Sequence, residues 1–159
     1  MKDHKFSIIV ASKNSYPFIV GTIESLKNQK YKNFEVIVID CLSKDKTLEY
    51  LKEQEKFLDI KIFSEIDNGI SDGYNKGFLK VKGDIISLLS TDERYFEDTL
   101  LKVNKWYSDN PLQAMIAGSV DFINKQDAFL YNNKNKNINF YNHITCLLYT
   151  SPSPRDDEL

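Results

Sequence analysis

An open, mostly parallel α/β sheet with helices on both faces is the fold this 159-residue chain predicts. Three observations lead there. The runs FSIIVAS (6–12) and FEVIVID (34–40) are almost continuously apolar and rich in β-branched residues, as strands buried on both faces of a parallel sheet must be. Between them, PFIVGTIESLKNQ places Phe18, Ile19, Thr22, Ile23 and Leu26 on one helical stripe, with Pro17 suited to the first turn. Strand, helix and strand form a βαβ unit with a right-handed crossover, and the alternation then continues along the chain without any solenoid repeat.

The later elements follow in order. KDKTLEYLKEQEKF predicts a second amphipathic helix with Leu48, Leu51 and Phe57 toward the core, and IKIFSE a third strand. SEIDNGISDGYNKG opens a helix running to Val81, although Gly69, Gly73 and Gly77 recur every fourth residue and each interior glycine costs a helix roughly 1 kcal/mol against alanine. GDIISLLS supplies a fourth strand ending at Ser90. FEDTLLKVNKWYSDNP is a helix stopped by Asp109, Asn110 and Pro111, with Trp106 and Tyr107 toward the core. QAMIAGSVDFI reads as a fifth strand, and FLYNNKNKNINFY as a polar hairpin or loop whose Asn/Lys run is solvated surface.

Composition sets outer limits. A hydrophobic fraction of 42% with 28% charged residues belongs to a globular chain rather than a disordered or membrane one. The net charge of −2 offers no electrostatic ground for binding nucleic acid. No run approaches the roughly 20 apolar residues of a membrane span, and the N-terminal apolar run is too short for a signal peptide, so the expected location is cytoplasmic. Cys41 and Cys146 share no CxxC, which argues against a disulfide framework or a zinc site. His4 and His143 are isolated and expected to face solvent. Composition changes abruptly at Cys146, and CLLYTSPSPRD resembles the in-frame translation of a transposase-type sequencing adapter. The expected organisation is therefore an incomplete domain over residues 1–145, followed by a non-native tail over 146–159.

Sheets of this kind bind ligands at the carboxyl ends of their strands. The polar residues expected there are Ser12, Lys13 and Asn14 after the first strand, and Asp40 and Ser43 after the second. Glu65 and Asp67 follow the third, and Ser90, Thr91, Asp92 and Glu93 the fourth. Acidic groups after the second, third and fourth strands suit a bound cation better than a bare phosphate. The first turn, ASKNSYP, holds no glycine, so neither GxGxxG nor GxxxxGK[ST] is present.

Five stretches in order carry a family resemblance: SIIVASKN; SLKNQKYKNFEVIVID, with its Q-x-Y-x-N-x-E run; DCLSKDKT, a D-x-x-S-x-D-x-T loop; SEIDNGISDGYNKG, containing D-x-G-I-x-D-x-x-N-K-G; and KGDIISLLSTDE. Over residues 6–122 the chain resembles the inverting family-2 glycosyltransferases of the Rossmann-like GT-A fold, and among them a surface-polysaccharide, colanic-acid-type subgroup. The resemblance implies a nucleotide diphosphate sugar as donor, UDP-linked, and a saccharide or lipid-linked acceptor. It also implies Mg²⁺ or Mn²⁺, and a place at the inner face of the membrane with peripheral association of the full-length protein.

Site roles follow from the same resemblance. Ser12, Asn14, Asp40, Ser43, Asp67, Gly69, Asp72, Asn75 and Thr91 would line the nucleotide sugar, and Asp92 would hold the metal that eases departure of the nucleoside diphosphate. Asp40 either accepts from the base or ribose or caps its own turn with Ser43 and Asp45. Asp92 could also cap the following helix, and Asp67 or Asn68 the glycine-bearing one. The glycines either let that helix approach the nucleotide or merely pack it on the sheet. Three departures stand out: Cys41 and Leu42 replace a second acidic residue, Lys13 replaces a common aromatic, and the acidic motif has one aspartate with Glu93 as helper. The family's catalytic base lies downstream, beyond the expected end of the domain; Asp121 falls in a donor-side structural position, and no base is assigned. A non-catalytic nucleotide-binding or scaffold module is the alternative reading. A nucleotidyltransferase is disfavoured by the first loop, which is not rich in Gly, Arg or Lys.

Overall fold

The computed structural model describes residues 2–111, 120–124 and 128–133. The chain divides into two units, one formed by residues up to Asp109 and the other lying within 110–151. In the first, strands β1 (Phe6–Ser12), β2 (Phe34–Asp40), β3 (Ile60–Ser64) and β4 (Ile85–Leu89) alternate with helices α1 (Phe18–Lys27), α2 (Thr47–Gln54), α3 (Ile70–Phe78) and α4 (Thr99–Asp109). The strands form one parallel sheet in the order β3-β2-β1-β4.

Every residue of β1 and β2 is buried, as their unbroken apolar runs require. Alternate side chains serve opposite faces. Phe6, Ile8, Val10, Val36 and Val38 form one core with Ile19, Ile23 and Leu26 of α1, Leu51 of α2 and Leu100 of α4. The other face of β1 and β2 meets α3, where a Cβ at Gly73 would reach Ala11 and Ile39, and one at Gly77 would collide with Ile9. Helices therefore cover both faces.

Several expectations need correction. Phe18 is 59% exposed, because the buried stripe Ile19, Thr22, Ile23, Leu26 already completes the i, i+3, i+4, i+7 pattern and Phe18 stands about 100° off it. Phe57 lies beyond the end of α2, 66% exposed, with the Lys27 ammonium 4.9 Å from its ring centre. Leu48 is half-buried. Helix α3 stops at Phe78 rather than Val81, since the chain must turn to bring the Lys82 and Gly83 amides onto Ser7 Oγ at 3.2 and 2.8 Å. His4 does not face solvent: both its ring nitrogens are buried, its amide N–H donates to Asn104 Oδ1 and its ring meets Tyr107 edge-on. Trp106 and Tyr107 are half-buried.

The second unit contains strands β5 (Val120–Ile123) and β6 (Phe129–Asn133), paired antiparallel with an irregularity between Phe122 and Ile123. Part of the polar segment expected as a hairpin or loop is thus a strand. Asp121 lies within β5, where the Asn132 side-chain amide donates to it. The rest of the expected fifth strand, His143, Cys146 and the whole 146–159 tail fall outside the described residues.

The residues Gln29, Tyr31, Glu35, Gly83 and Asp84 build the amino-terminal end of the sheet. Gln29 is wholly buried, its amide donating to Ser25 O and Phe96 O while its carbonyl receives Leu100 N–H, which fixes α1 against the start of α4. The Tyr31 hydroxyl bonds Asp3 and His4 O, and burial, then Asp3, pushes its pKa up to about 12. The Glu35 carboxylate, inaccessible to solvent, receives Ser7 Oγ at 2.8 Å, Lys82 N–H at 2.9 Å and the Lys61 ammonium at 2.5 Å. Gly83 lies so close to β1 that a Cβ would stand 2.6 Å from Lys5 O, and Asp84 accepts Lys5 N–H at 2.9 Å.

Candidate functional site

The sheet order reverses beside β1: the chain steps from β1 through β2 to β3, then returns to place β4 on the other side of β1. In an open α/β sheet that reversal opens a crevice at the carboxyl ends of the two flanking strands. The loops after β1 and β4 border it, and the loop after β2 buttresses the first of them.

After β1 the chain turns without glycine. Asn14 takes a left-handed conformation, φ 47°, and its side-chain carbonyl receives Lys44 N–H at 2.8 Å while its own N–H donates to Ser43 Oγ at 2.7 Å. Ser12 and Ser15 hydroxyls meet at 3.2 Å. Thr47 Oγ1 receives Ser15 N–H at 2.9 Å and Tyr16 N–H at 3.0 Å, and Asp45 receives Tyr16 N–H and Thr47 N–H, each at 3.0 Å. Burial pushes the Asp45 carboxyl up, but the bonds from Thr47 and Tyr16 outweigh it and hold the pKa below its ordinary value.

Asp40 ends β2 fully buried. Its carboxylate accepts Ser43 N–H at 2.9 Å, the Ser43 hydroxyl, and the Ser64 hydroxyl at 3.0 Å. Leu42, at φ 48°, supplies the reversal that aims the Ser43 amide back at Asp40. The turn-capping contact with Ser43 is therefore present, but its companion is Ser64 and not Asp45, whose carboxylate serves Tyr16 and Thr47 N–H.

Before α3, Asp67 Oδ1 accepts Gly69 N–H at 3.1 Å, and Gly69 takes φ 107°, a conformation that a side chain would strain. Gly69 is the helix cap rather than a member of a helical stripe. Asp72, in the first turn of α3, reaches back to Asn68 N–H at 2.9 Å and pairs with Lys76 at 3.6 Å. The Asn68 bond leads the causes that hold the Asp72 carboxyl below its ordinary pKa. Asn75 is exposed, about 200° around the helix from the sheet-facing Gly73 and Gly77, and the structure does not bring it to the strand ends.

After β4, Ser90 N–H donates to Glu93 Oε2 at 3.0 Å, so Glu93 closes the turn that carries Asp92. The buried Thr22 hydroxyl of α1 lies 2.8 Å from both Thr91 O and Glu93 O, tying this turn to the first helix. Asp92 is exposed on the turn. It precedes α4 by seven positions and so does not cap it. No cluster of three His, Cys, Asp or Glu residues suited to a metal occurs among the described residues. A lone exposed carboxylate fits Mg²⁺ or Mn²⁺ of the kind held by one or two carboxylates together with substrate phosphates and water.

Asp45, Thr47 and Thr22 were not singled out as site residues in the sequence. The D-x-x-S-x-D-x-T spacing marked the first two, but that they face the turn after β1 appears only in the fold. A separate concavity lined by Tyr16, Lys46, Glu49, Tyr50 and Glu53 shares only Tyr16 with the crevice-facing loops.

This sheet order belongs to Rossmann-like folds generally, and the likeness to solved glycosyltransferases shows that the fold here is GT-A. The chain belongs to glycosyl transferase family 2, whose sequence model matches residues 7–153. It is similar to the amylovoran biosynthesis glycosyltransferase AmsB of Erwinia amylovora, 32% identical over 104 residues, or 63% of this chain and 35% of AmsB. S. aureus TarS 1-349, solved with UDP-GlcNAc, matches with a TM-score of 0.64 at 26% identity, over 66% of this chain and 31% of TarS 1-349. The mannosyltransferase PcManGT of Pyrobaculum calidifontis, solved with GDP-Man and Mn²⁺, shares the fold at a TM-score of 0.64 and 22% identity, over 80% of this chain and 38% of that protein. The chain spans about a third of the length of each.

Proposed function

We propose that this chain forms the donor-binding part of an inverting glycosyltransferase, one that takes a sugar from a UDP-sugar for transfer to a saccharide or lipid-linked acceptor in polysaccharide biosynthesis. The observation that carries the reading is the exposed Asp92 carboxylate on the loop after β4, which borders the sheet reversal together with a glycine-free turn after β1 whose shape is fixed by the loop after β2. The TarS complex supports UDP as the nucleotide, and the AmsB relationship supports polysaccharide synthesis.

Asp92 would hold Mg²⁺ or Mn²⁺ against the diphosphate, and the bound ion would neutralise charge on the departing nucleoside diphosphate. Asn14 and Thr91 lie on the loops bordering the crevice, where they meet the nucleotide; Ser12, buried at the end of β1, lies against the Ser15 hydroxyl beneath the turn, and Ser43 holds Asn14 in place. Lys13, on the same turn, adds positive charge near the phosphates. The acceptor and the base that deprotonates it belong to the part of the family's length that this chain does not span. No helix among the described residues is long and apolar enough to cross a membrane. From the family resemblance alone we propose a cytoplasmic location for the full-length protein, with peripheral attachment at the inner membrane face.

A thermal-shift assay with UDP and Mn²⁺ tests the reading. Stabilisation should require both components and disappear in Asp92→Asn; no shift, or an equal shift in the variant, contradicts it.

A further inference from the structure

We infer that Asp45 and Thr47 are positioning residues for the nucleotide: from the start of α2 they impose the shape of the turn after β1 that meets the ligand. The inference rests on the donor-site reading above and extends it to residues that touch no ligand.

The turn must present polar groups without the glycines that usually let backbone approach a phosphate. Its amides need acceptors, and Pro17, which follows, offers no N–H of its own. Thr47, wholly buried, supplies both hydroxyl lone pairs, one to Ser15 N–H at 2.9 Å and one to Tyr16 N–H at 3.0 Å. Asp45 then takes Tyr16 N–H a second time and also Thr47 N–H, so that its carboxylate fixes the threonine and the turn together. Ser15, held by its amide, has its hydroxyl 3.2 Å from Ser12 Oγ and receives Lys13 N–H at 3.3 Å. Ser15 and Tyr16 directly, and Lys13 through Ser15, are thereby referred to two side chains some thirty positions away in the sequence, both belonging to the D-x-x-S-x-D-x-T spacing, while Asn14 is held by Ser43 and Lys44 of the same loop.

Calorimetric titration of UDP in Mn²⁺, alongside thermal melts, separates positioning from mere stabilisation. Thr47→Val keeps the shape and removes the acceptor; it should weaken UDP binding about tenfold even well below its melting temperature, and Thr47→Ser should restore it. Asp45→Ala, at an exposed position, gives the same test if the buried substitution prevents folding, with a several-fold loss expected. Wild-type affinity in a folded Thr47→Val or Asp45→Ala overturns the inference while leaving the donor-site reading intact. A wild-type chain that binds no UDP overturns both.

Discussion

The amide N–H of Asn14 donates to the Ser43 hydroxyl at 2.7 Å, and that hydroxyl in turn donates to Asp40. A hydroxyl has one proton to give and lone pairs to receive with, so Ser43 passes a single hydrogen-bond chain from a buried carboxylate at the end of β2 to the turn after β1. The two loops cannot move independently while it holds.

Ser43→Ala should therefore cost about 1–3 kcal/mol of stability, since it strips partners from both the Asn14 amide and Asp40. Urea unfolding reads the loss, and UDP affinity in Mn²⁺ should fall as well. Ser43→Thr, which retains the hydroxyl, should recover most of each.

The opposite end of the sheet predicts a pH dependence. Burial pushes Glu35 up, but its bonds from Lys61, Ser7 and Lys82 N–H prevail and hold its pKa below the ordinary 4.5. Stability from these bonds is complete above pH 4.5 and is lost as pH falls through the depressed folded value. The Lys61 pKa is raised above 10.5, chiefly by its bond to Glu35, so its contribution is complete below that pH and is lost at more alkaline values. Glu35→Gln should destabilise by on the order of 2 kcal/mol at pH 7, and the gap from wild type should narrow as denaturation is repeated at pH 4 and 3.

The glycines of α3 should separate by assay. A Cβ at Gly77 collides with Ile9, so Gly77→Ala should lose about 1 kcal/mol or more despite alanine's better helix propensity, with nucleotide affinity unchanged. Ile9→Ala in the same chain should relieve part of that loss, a coupling that a double-mutant cycle measures. A Cβ at Gly73 meets Ala11 at 3.3 Å and the Asp67 carboxylate at 3.4 Å, which links it to the strand-end loops. Gly73→Leu should weaken UDP binding more than its loss of stability accounts for.

The strands and helices were legible because β1 and β2 are unbroken β-branched runs and α1 is an amphipathic stripe, patterns that burial on two faces or one imposes directly. Where an element ends is set by tertiary demands, which is why Phe18, Phe57 and the end of α3 departed from the pattern. Motif residues reveal polar chemistry but not which end of a strand it serves. Gln29, Tyr31, Glu35, Gly83 and Asp84 carry much of the family likeness, yet they fasten the end of the sheet away from the crevice. Asp40 was legible as important; its third partner, Ser64, comes from a neighbouring strand that spacing cannot reveal. Thr22 reads as one more member of an apolar stripe, while its hydroxyl holds the turn that carries Asp92.

The most direct test locates the metal and nucleotide on the sheet. With ¹⁵N-labelled chain and UDP, replacing Mg²⁺ by paramagnetic Mn²⁺ should broaden the amides of Ser12, Lys13, Asn14, Thr91 and Asp92. Those of Lys5, Glu35 and Gly83, about 20 Å away at the other end of the strands, should stay sharp. Broadening at that other end, or sharp signals from the loops after β1 and β4, would contradict a donor site at the reversal of the sheet.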